Sequence, residues 1–232
     1  MKIENVEVYG FRAALRGMRN PMNSWDKSDS KFLEDIVGDG SHKIETFPWE
    51  PDVLAIEHPV IGPDDMKLAL NLIRGGGAHR KFLRQIMIAW DITIPRAIYQ
   101  EYDTYKVATV RNSCSTMHKL GLVDIEPCDI EDFDPDDEDD WIMLRRLNKL
   151  AGLYRADKTP KRLHKLKMRL PEGFLQKSTY SFNYETALHM YYDRKDHKMP
   201  EWSGPGGICA WIMKLPYMTE FSNAMWVAGA RG

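Results

Sequence analysis

From Gln85 to Ile94 apolar and polar positions alternate. Ile86, Ile88, Trp90, Ile92 and Ile94 share one face; Met87, Ala89, Asp91 and Thr93 share the other. A repeat of two is that of a strand, and this is the clearest strand in the chain. Ile3, Val6 and Val8 give Lys2–Gly10 a similar pattern, and residues 53–61 are rich in strand-forming side chains up to Gly62-Pro63. Elsewhere the repeat is helical. Phe11–Met18 is a short amphipathic stretch, and the rest of residues 11–50 reads as polar loop. Met66–Ile73 reads as a helix capped by Asp64 or Asp65 and ended by Gly75-Gly76-Gly77. Pro95 sits where a helix begins, and that helix is expected to run to about Lys106. Further helices are expected over Trp141–Arg155, from Thr159-Pro160 to about Arg169, over Asn183–Arg194 and over Ile208–Leu215. Leu170-Pro171 breaks the second of these, and Pro216 ends the last. Strands alternating with helices, without repeats or a low-complexity linker, describe an α/β chain in one domain.

Composition narrows the class. The 232 residues are 43% hydrophobic and 28% charged, with a formal net charge of −2. That length suits one domain with a full core. The charge balance argues against a general nucleic-acid binder, which carries a basic excess. No apolar run approaches the roughly 20 residues of a membrane-spanning helix, and MKIENVEVYGF lacks the apolar stretch of a secretory signal. Cys114, Cys128 and Cys209 are scattered without a CxxC spacing. They read as free thiols of a reducing compartment, so a cytoplasmic location is expected and a zinc site is not. Residues 129–140 hold nine acidic groups around Phe133 and Pro135, a solvated loop without the glycine and spacing of a calcium loop.

Two stretches carry the most specific spacing. The first runs ungapped from His79 through Pro95 to Thr109. The second sets Lys167 four residues before Pro171, Asn183 twelve after it, and Arg194 eleven after that. Together they resemble the flavin-dependent thymidylate synthases, over about half the chain. In that family a histidine, a strand and a proline-type helix start lead to an RHRxxSxNExSxR motif. A basic residue, Leu-Pro, an asparagine and an arginine follow downstream. His79 matches the leading histidine, Thr109 the first serine of the motif and, with one inserted residue, Ser115 the second. His189 falls where the family places an amide or histidine facing flavin. After one deletion, His197 and Glu201 match a closing His-x-x-x-Glu element.

The resemblance implies an α/β (α+β) fold: a single domain over residues 1–232 with a central, mainly antiparallel sheet flanked by helices. It implies binding of dUMP or a related pyrimidine nucleotide by Lys167, Arg194, Thr109 and Ser115. FAD would meet His79, Tyr105, Lys106, Asn183 and His189, with folate as a candidate carbon donor and a homotetramer as the assembly. The activity implied is methyl transfer to the nucleotide with reduced flavin. No residue is assigned a catalytic role.

Several motif positions differ. The RHR triplet reads Thr104-Tyr105-Lys106, and NExSxR reads Asn112-Ser113-Cys114-Ser115-Thr116-Met117. The family's Glu-His pair is Arg84-Gln85, and Glu185 stands where the later helix carries arginine. A lost cation and a gained anion beside a phosphate are expected to weaken, relocate or abolish FAD binding. A non-catalytic nucleotide-binding or interaction module is therefore the alternative, and a hydroxymethylating enzyme a third reading.

Individual residues also admit other roles. Lys167 lies among Arg162, Lys165 and Arg169, so it serves either a nucleotide phosphate or a solvated basic face. Val107–Met117, rich in hydroxyls, is either a phosphate cradle or a helix-to-helix turn. Cys114 and His118 would share a face on a helix, as nucleophile and base, with a buried structural cysteine as the other reading. His189, Asp193 and His197 have the spacing of metal ligands, but His189 already has a flavin-facing counterpart. No metal is expected. The apolar residues from Trp211 to Val227 would cover a subunit interface or complete the core.

Overall fold

The computed structural model describes residues 1–33, 53–55 and 57–229. The remaining positions of the expected loop in 11–50, and Ile56 within the β-rich 53–61 stretch, lie outside the described residues. The fold is mixed α/β, with a central, mainly antiparallel sheet flanked by helices.

The described residues form seven strands: β1 (Lys2–Tyr9), β2 (Lys31–Phe32), β3 (Val53–Ala55), β4 (Pro59–Val60), β5 (Met87–Pro95), β6 (Val110–Ser113) and β7 (Leu175–Asn183). Five make one sheet in the order β3-β1-β5-β7-β6, with β1 and β3 parallel, and β2 pairs antiparallel with β4. The helices are α1 (Phe11–Arg19), α2 (Pro63–Arg74), α3 (Arg96–Tyr102), α4 (Glu138–Ala156) and α5 (Pro160–Lys167). They continue with α6 (Tyr184–Arg194), α7 (Pro200–Ser203), α8 (Ile208–Met213) and α9 (Met218–Gly229).

The alternation in β5 holds throughout. Ile86, Ile88, Trp90, Ile92 and Ile94 are all buried, and Trp90 meets Phe182 of β7 edge-to-face at 4.8 Å. Two compact units are defined: Met1–Lys2, Asp91–Tyr105 and Arg111–Thr179 form the first, and Ile3–Trp90, Lys106–Val110 and Tyr180–Gly232 the second. Strands β5 and β7 each contribute to both.

In the first unit, α4 and α5 pack over a core of Leu120, Ile125, Leu144, Leu147, Ala151 and Leu166. The Asp137 side chain caps α4 by accepting from the Asp139 N–H, and Glu138, Asp139 and Asp140 fill its first turn. Acidic groups there face the positive end of the helix dipole. The acidic run thus ends as a helix start rather than as loop alone.

The second unit contains a buried clamp that the sequence pattern missed. Asp65 does not cap α2; Gly62 holds the cap position with Pro63 after it. Asp65 is fully buried and accepts from Arg19 Nε at 2.6 Å, Ser28 Oγ at 2.7 Å and Ser30 Oγ at 2.6 Å. Asp29 takes over the helix end instead, accepting from the Asp64 and Asp65 N–H groups.

Other differences are local. The helix after Pro95 stops at Tyr102, short of Lys106, as the chain turns at Asp103-Thr104. Val110–Ser113 is an edge strand rather than loop. Strand β7 went unread because its polar side chains obscure the alternation of Ser178, Tyr180 and Phe182, all buried. Of the C-terminal apolar residues, Ile212, Leu215, Met218 and Phe221 are core, while Trp226 and Val227 are exposed.

Burial alone would raise the Asp65 pKa, but hydrogen bonds from Ser30, Ser28 and Arg19 outweigh it and hold it below 3.8. A depressed carboxylate contributes stability fully above its unfolded pKa and loses it as pH falls through the folded value. Asp65→Ala, which leaves Arg19 buried and unpaired, is expected to cost about 3–5 kcal/mol. Urea denaturation at pH 7 measures this. Below pH 3.8, as the pH falls through the depressed folded value, the gap between wild type and variant should narrow because the wild type loses the same contribution.

Candidate functional site

The second unit gathers the densest set of sequence-predicted residues around the start of α6. Asn183 ends β7 and caps the helix, its Oδ1 accepting from the Thr186 N–H at 2.9 Å. The Tyr184 N–H donates to the Ile86 carbonyl at 3.0 Å, fixing the helix start against the entry to β5. Glu185 therefore sits in the first turn, where a carboxylate is favoured by the helix dipole.

Glu185 does not stand alone. Arg80 and Arg84, four residues apart on the 3-10 turn Arg80–Gln85, both reach it. Arg80 Nε donates to Oε1 at 2.8 Å and Arg84 Nε to Oε2. Burial raises the Glu185 pKa, but the hydrogen bonds from Arg84 and Arg80 outweigh it, and the net shift is downward. The carboxylate read from sequence as an uncompensated anion is thus over-compensated: two guanidiniums on one carboxylate leave an excess of one positive charge. Arg84 is 51% exposed and Arg80 only 15%, so Arg84 is the arm open to a ligand. Arg80 reaches further along the helix, its Nη2 lying 3.2 Å from His189 Nε2. Since guanidinium only donates, this contact favours the tautomer that leaves Nε2 as acceptor, with the ring proton on Nδ1.

His189, exposed, lines a cavity of about 470 Å³ with Tyr192, Asp193, Met225, Trp226 and Gly229. The Trp226 ring, 61% exposed, is near-parallel to Tyr192 with centroids 6.3 Å apart. A flat ring system could extend such a stack. His79 is exposed beside Arg80; its N–H donates to Gly76 O at 2.9 Å and its side chain packs over Gly75.

Lys106 and Thr109 lie on a tight turn held to α6 by Thr186 Oγ1, which donates to the Val107 carbonyl at 3.3 Å. Ala108 in this turn has φ of 55°, the left-handed region that favours glycine. Strain of this kind, of order 1–3 kcal/mol, persists where surrounding structure enforces it. The Thr109 Oγ1 is buried without a hydrogen-bond partner among the described residues, and Lys106 is exposed without an ion pair among them. Arg194, in the last turn of α6, lies over the Trp202 ring at 5.3 Å. Burial pushes the nearby Cys209 thiol up to about 12, against a smaller opposing pull from Arg194.

The first unit holds the other predicted residues. Ser115 and Lys167 converge on Met117: Ser115 Oγ accepts from the Met117 and His118 N–H groups at 3.2 Å, and Lys167 Nζ lies 3.3 Å from the Met117 sulfur. Tyr105 follows α3, half-buried, its N–H donating to Tyr102 O at 3.1 Å. Cys114 leaves β6 exposed and off any helix. Both sequence readings of it, nucleophile paired with His118 on a helix face and buried structural thiol, are corrected. Among the described residues no three His, Cys, Asp or Glu side chains form a metal-holding group. His197 Nδ1 instead lies 3.2 Å from the Met199 N–H.

Arg80 was missed entirely. Its only trace in the sequence is the four-residue spacing to Arg84, because Glu185 lies 105 positions away.

With this geometry in place, known proteins can be compared. The fold is that of the flavin-dependent thymidylate synthases. Two crystal structures of ThyX from Helicobacter pylori, both with FAD and dUMP, superpose on the chain. One has a TM-score of 0.67 and 15% identity, covering 97% of this chain and 100% of its own. The other has a TM-score of 0.66 and 16% identity, covering 97% and 99%. No family model matches the sequence, and no curated protein does either.

The ion-pair cluster makes an asymmetric prediction. Glu185→Ala should destabilise the protein by about 3 kcal/mol, since it strands a largely buried Arg80, whereas Arg84→Ala should cost under about 1 kcal/mol. Arg80→Met should move the His189 proton from Nδ1 towards Nε2, read by ¹⁵N chemical shifts of the imidazole in the ligand-free protein.

Proposed function

We propose that this protein binds a pyrimidine nucleotide, dUMP or a close relative, and transfers a one-carbon group to it with reduced FAD and folate. The observation that carries the reading is the likeness, over nearly the full length of both chains, to ThyX structures holding FAD and dUMP. The ungapped spacing to Lys167 and Arg194 supports it.

The roles follow from chemistry. In the second unit Arg194 hydrogen-bonds the pyrimidine edge through its planar donors, and the stranded Thr109 hydroxyl donates to the nucleotide phosphate. In the first unit Lys167 neutralises phosphate as a point charge, and Ser115, whose oxygen already accepts two N–H groups, still has its hydroxyl proton to donate. The donor set also suits FAD. Lys106 is a cation without an ion pair among the described residues, Arg84 carries excess charge, and His79, Asn183 and His189 belong to the same unit. Tyr105 offers an aromatic face in the first unit. FAD, when bound, supplies the hydride and folate the carbon. By the same resemblance the chain is one domain, assembled as a cytoplasmic homotetramer. No helix among the described residues is long and apolar enough to cross a membrane.

A second reading, a nucleotide-binding module without catalysis, is favoured by one observation. Arg80 and Arg84 are both tied to Glu185, which offsets one of the two positive charges they would otherwise hold for a ligand.

A titration of FAD fluorescence with and without dUMP separates the two. Saturable quenching tightened by dUMP supports the redox reading; nucleotide binding with no quenching at high micromolar FAD supports the module. In either case Arg194→Ala should weaken dUMP at least about tenfold, roughly 1.4 kcal/mol. Unchanged affinity, measured calorimetrically, would remove Arg194 from the site.

A further inference from the structure

The basic face expected over Thr159–Arg169 is part of a groove in the first unit, of about 450 Å³, where α5 packs against α4. Its apolar lining is Met143, Leu147, Leu150 and Leu153, with Leu153 45% exposed. Along a helix these span about 15 Å at 1.5 Å per residue. The polar lining is Arg146, Lys149, Lys165 and Arg169, all exposed.

None of these four cations has an ion pair or hydrogen bond from its side chain among the described residues, and the lining contains no carboxylate. The neighbouring arginines behave differently. Arg145 pairs with Glu138 at 2.5 Å, Arg155 with Asp124 at 2.6 Å and Arg162 with Asp157 at 3.4 Å. Carboxylates are therefore at hand in the first turn of α4 and in the loops at Asp124 and Asp157, yet the groove is left with four like charges around an apolar floor. Such a surface attracts negative charge and disfavours positive.

The occupant is narrowed by what the groove contains. It offers no aromatic ring on which bases could stack, as a single-stranded nucleic acid requires. A second copy would have to present its acidic segment, whose aromatic residues Phe133 and Trp141 already pack on each other at 5.1 Å. An apolar floor with flanking cations matches one partner chemistry well: a helix with an apolar stripe and acidic flanks.

We propose that the groove between α4 and α5 is a docking site for an acidic amphipathic helix of a partner protein. The site is separate from the residues assigned to nucleotide and FAD, and stands whether or not that assignment does.

The probe is a synthetic helical peptide with leucines on one face and glutamates flanking them, labelled for fluorescence anisotropy against the full chain. Saturable binding that weakens with salt is expected, with a loss of at least about tenfold in the Arg146→Gln/Lys165→Gln double variant. Circular dichroism of that variant checks that it folds, and Leu153→Gln, which alters only the apolar contribution, should weaken the peptide independently. The proposal fails if the peptide does not saturate at high micromolar protein, or if a lysine-flanked version binds as well. Tighter competition by a single-stranded oligonucleotide would reassign the groove to nucleic acid. Self-association in sedimentation that the double variant abolishes, without peptide binding, would reassign it to a second copy.

Discussion

Strand β5 sets the terms for the rest of the molecule. Five alternate side chains, from Ile86 to Ile94, are almost completely buried, so its register has no freedom: a slip of one residue would turn all of them outward and bring Asp91 in. The arginine cluster and the helix start that faces it hang on its N-terminal end. The turn bearing Arg80 and Arg84 delivers the chain into β5, and Pro95 takes it out into α3. Its neighbour β7 ends at Asn183, and the backbone bond from Tyr184 to Ile86 fixes where α6 begins. The Glu185 carboxylate meets its two arginines because two strands agree on where they end.

Electrostatics divides the charged residues into two populations. Asp65 and Glu185 are carboxylates taken from water and held ionised by several donors each; they organise backbone segments far apart in sequence. Such groups contribute specificity of arrangement more surely than net stability. The cations around the α4–α5 groove, and Lys106 in its strained turn, have no such assignment among the described residues. What distinguishes them is the absence of a partner among the described residues.

Legibility in the sequence followed the range of the interaction. Strand β5 and helix α6 were readable because periodicity and capping are local, and Asn183 at the helix start was visible from its spacing alone. The family-like architecture was likewise carried by distances along the chain, which survive when individual residues change. Asp65 was misread because an aspartate just after Gly-Pro has a good local role, and only tertiary structure shows Arg19, Ser28 and Ser30 claiming it. Strand β7 hid its inward face behind Ser178, a polar residue whose hydroxyl is satisfied by Tyr99, 79 positions away. At the site, Thr109, Ser115 and Lys167 could be nominated but their present partners could not. Arg80 left almost no local trace.

The thiols carry a practical consequence. Cys114 and Cys128 are exposed and belong to the first unit; Cys209 is buried in the second, with its ionisation pushed to about 12. Only a thiolate attacks an alkylating reagent at a useful rate. Covalent dyes, spin labels or heavy atoms added to the unaltered protein will therefore collect on one unit alone, and leave the other as an unlabelled reference within the same molecule.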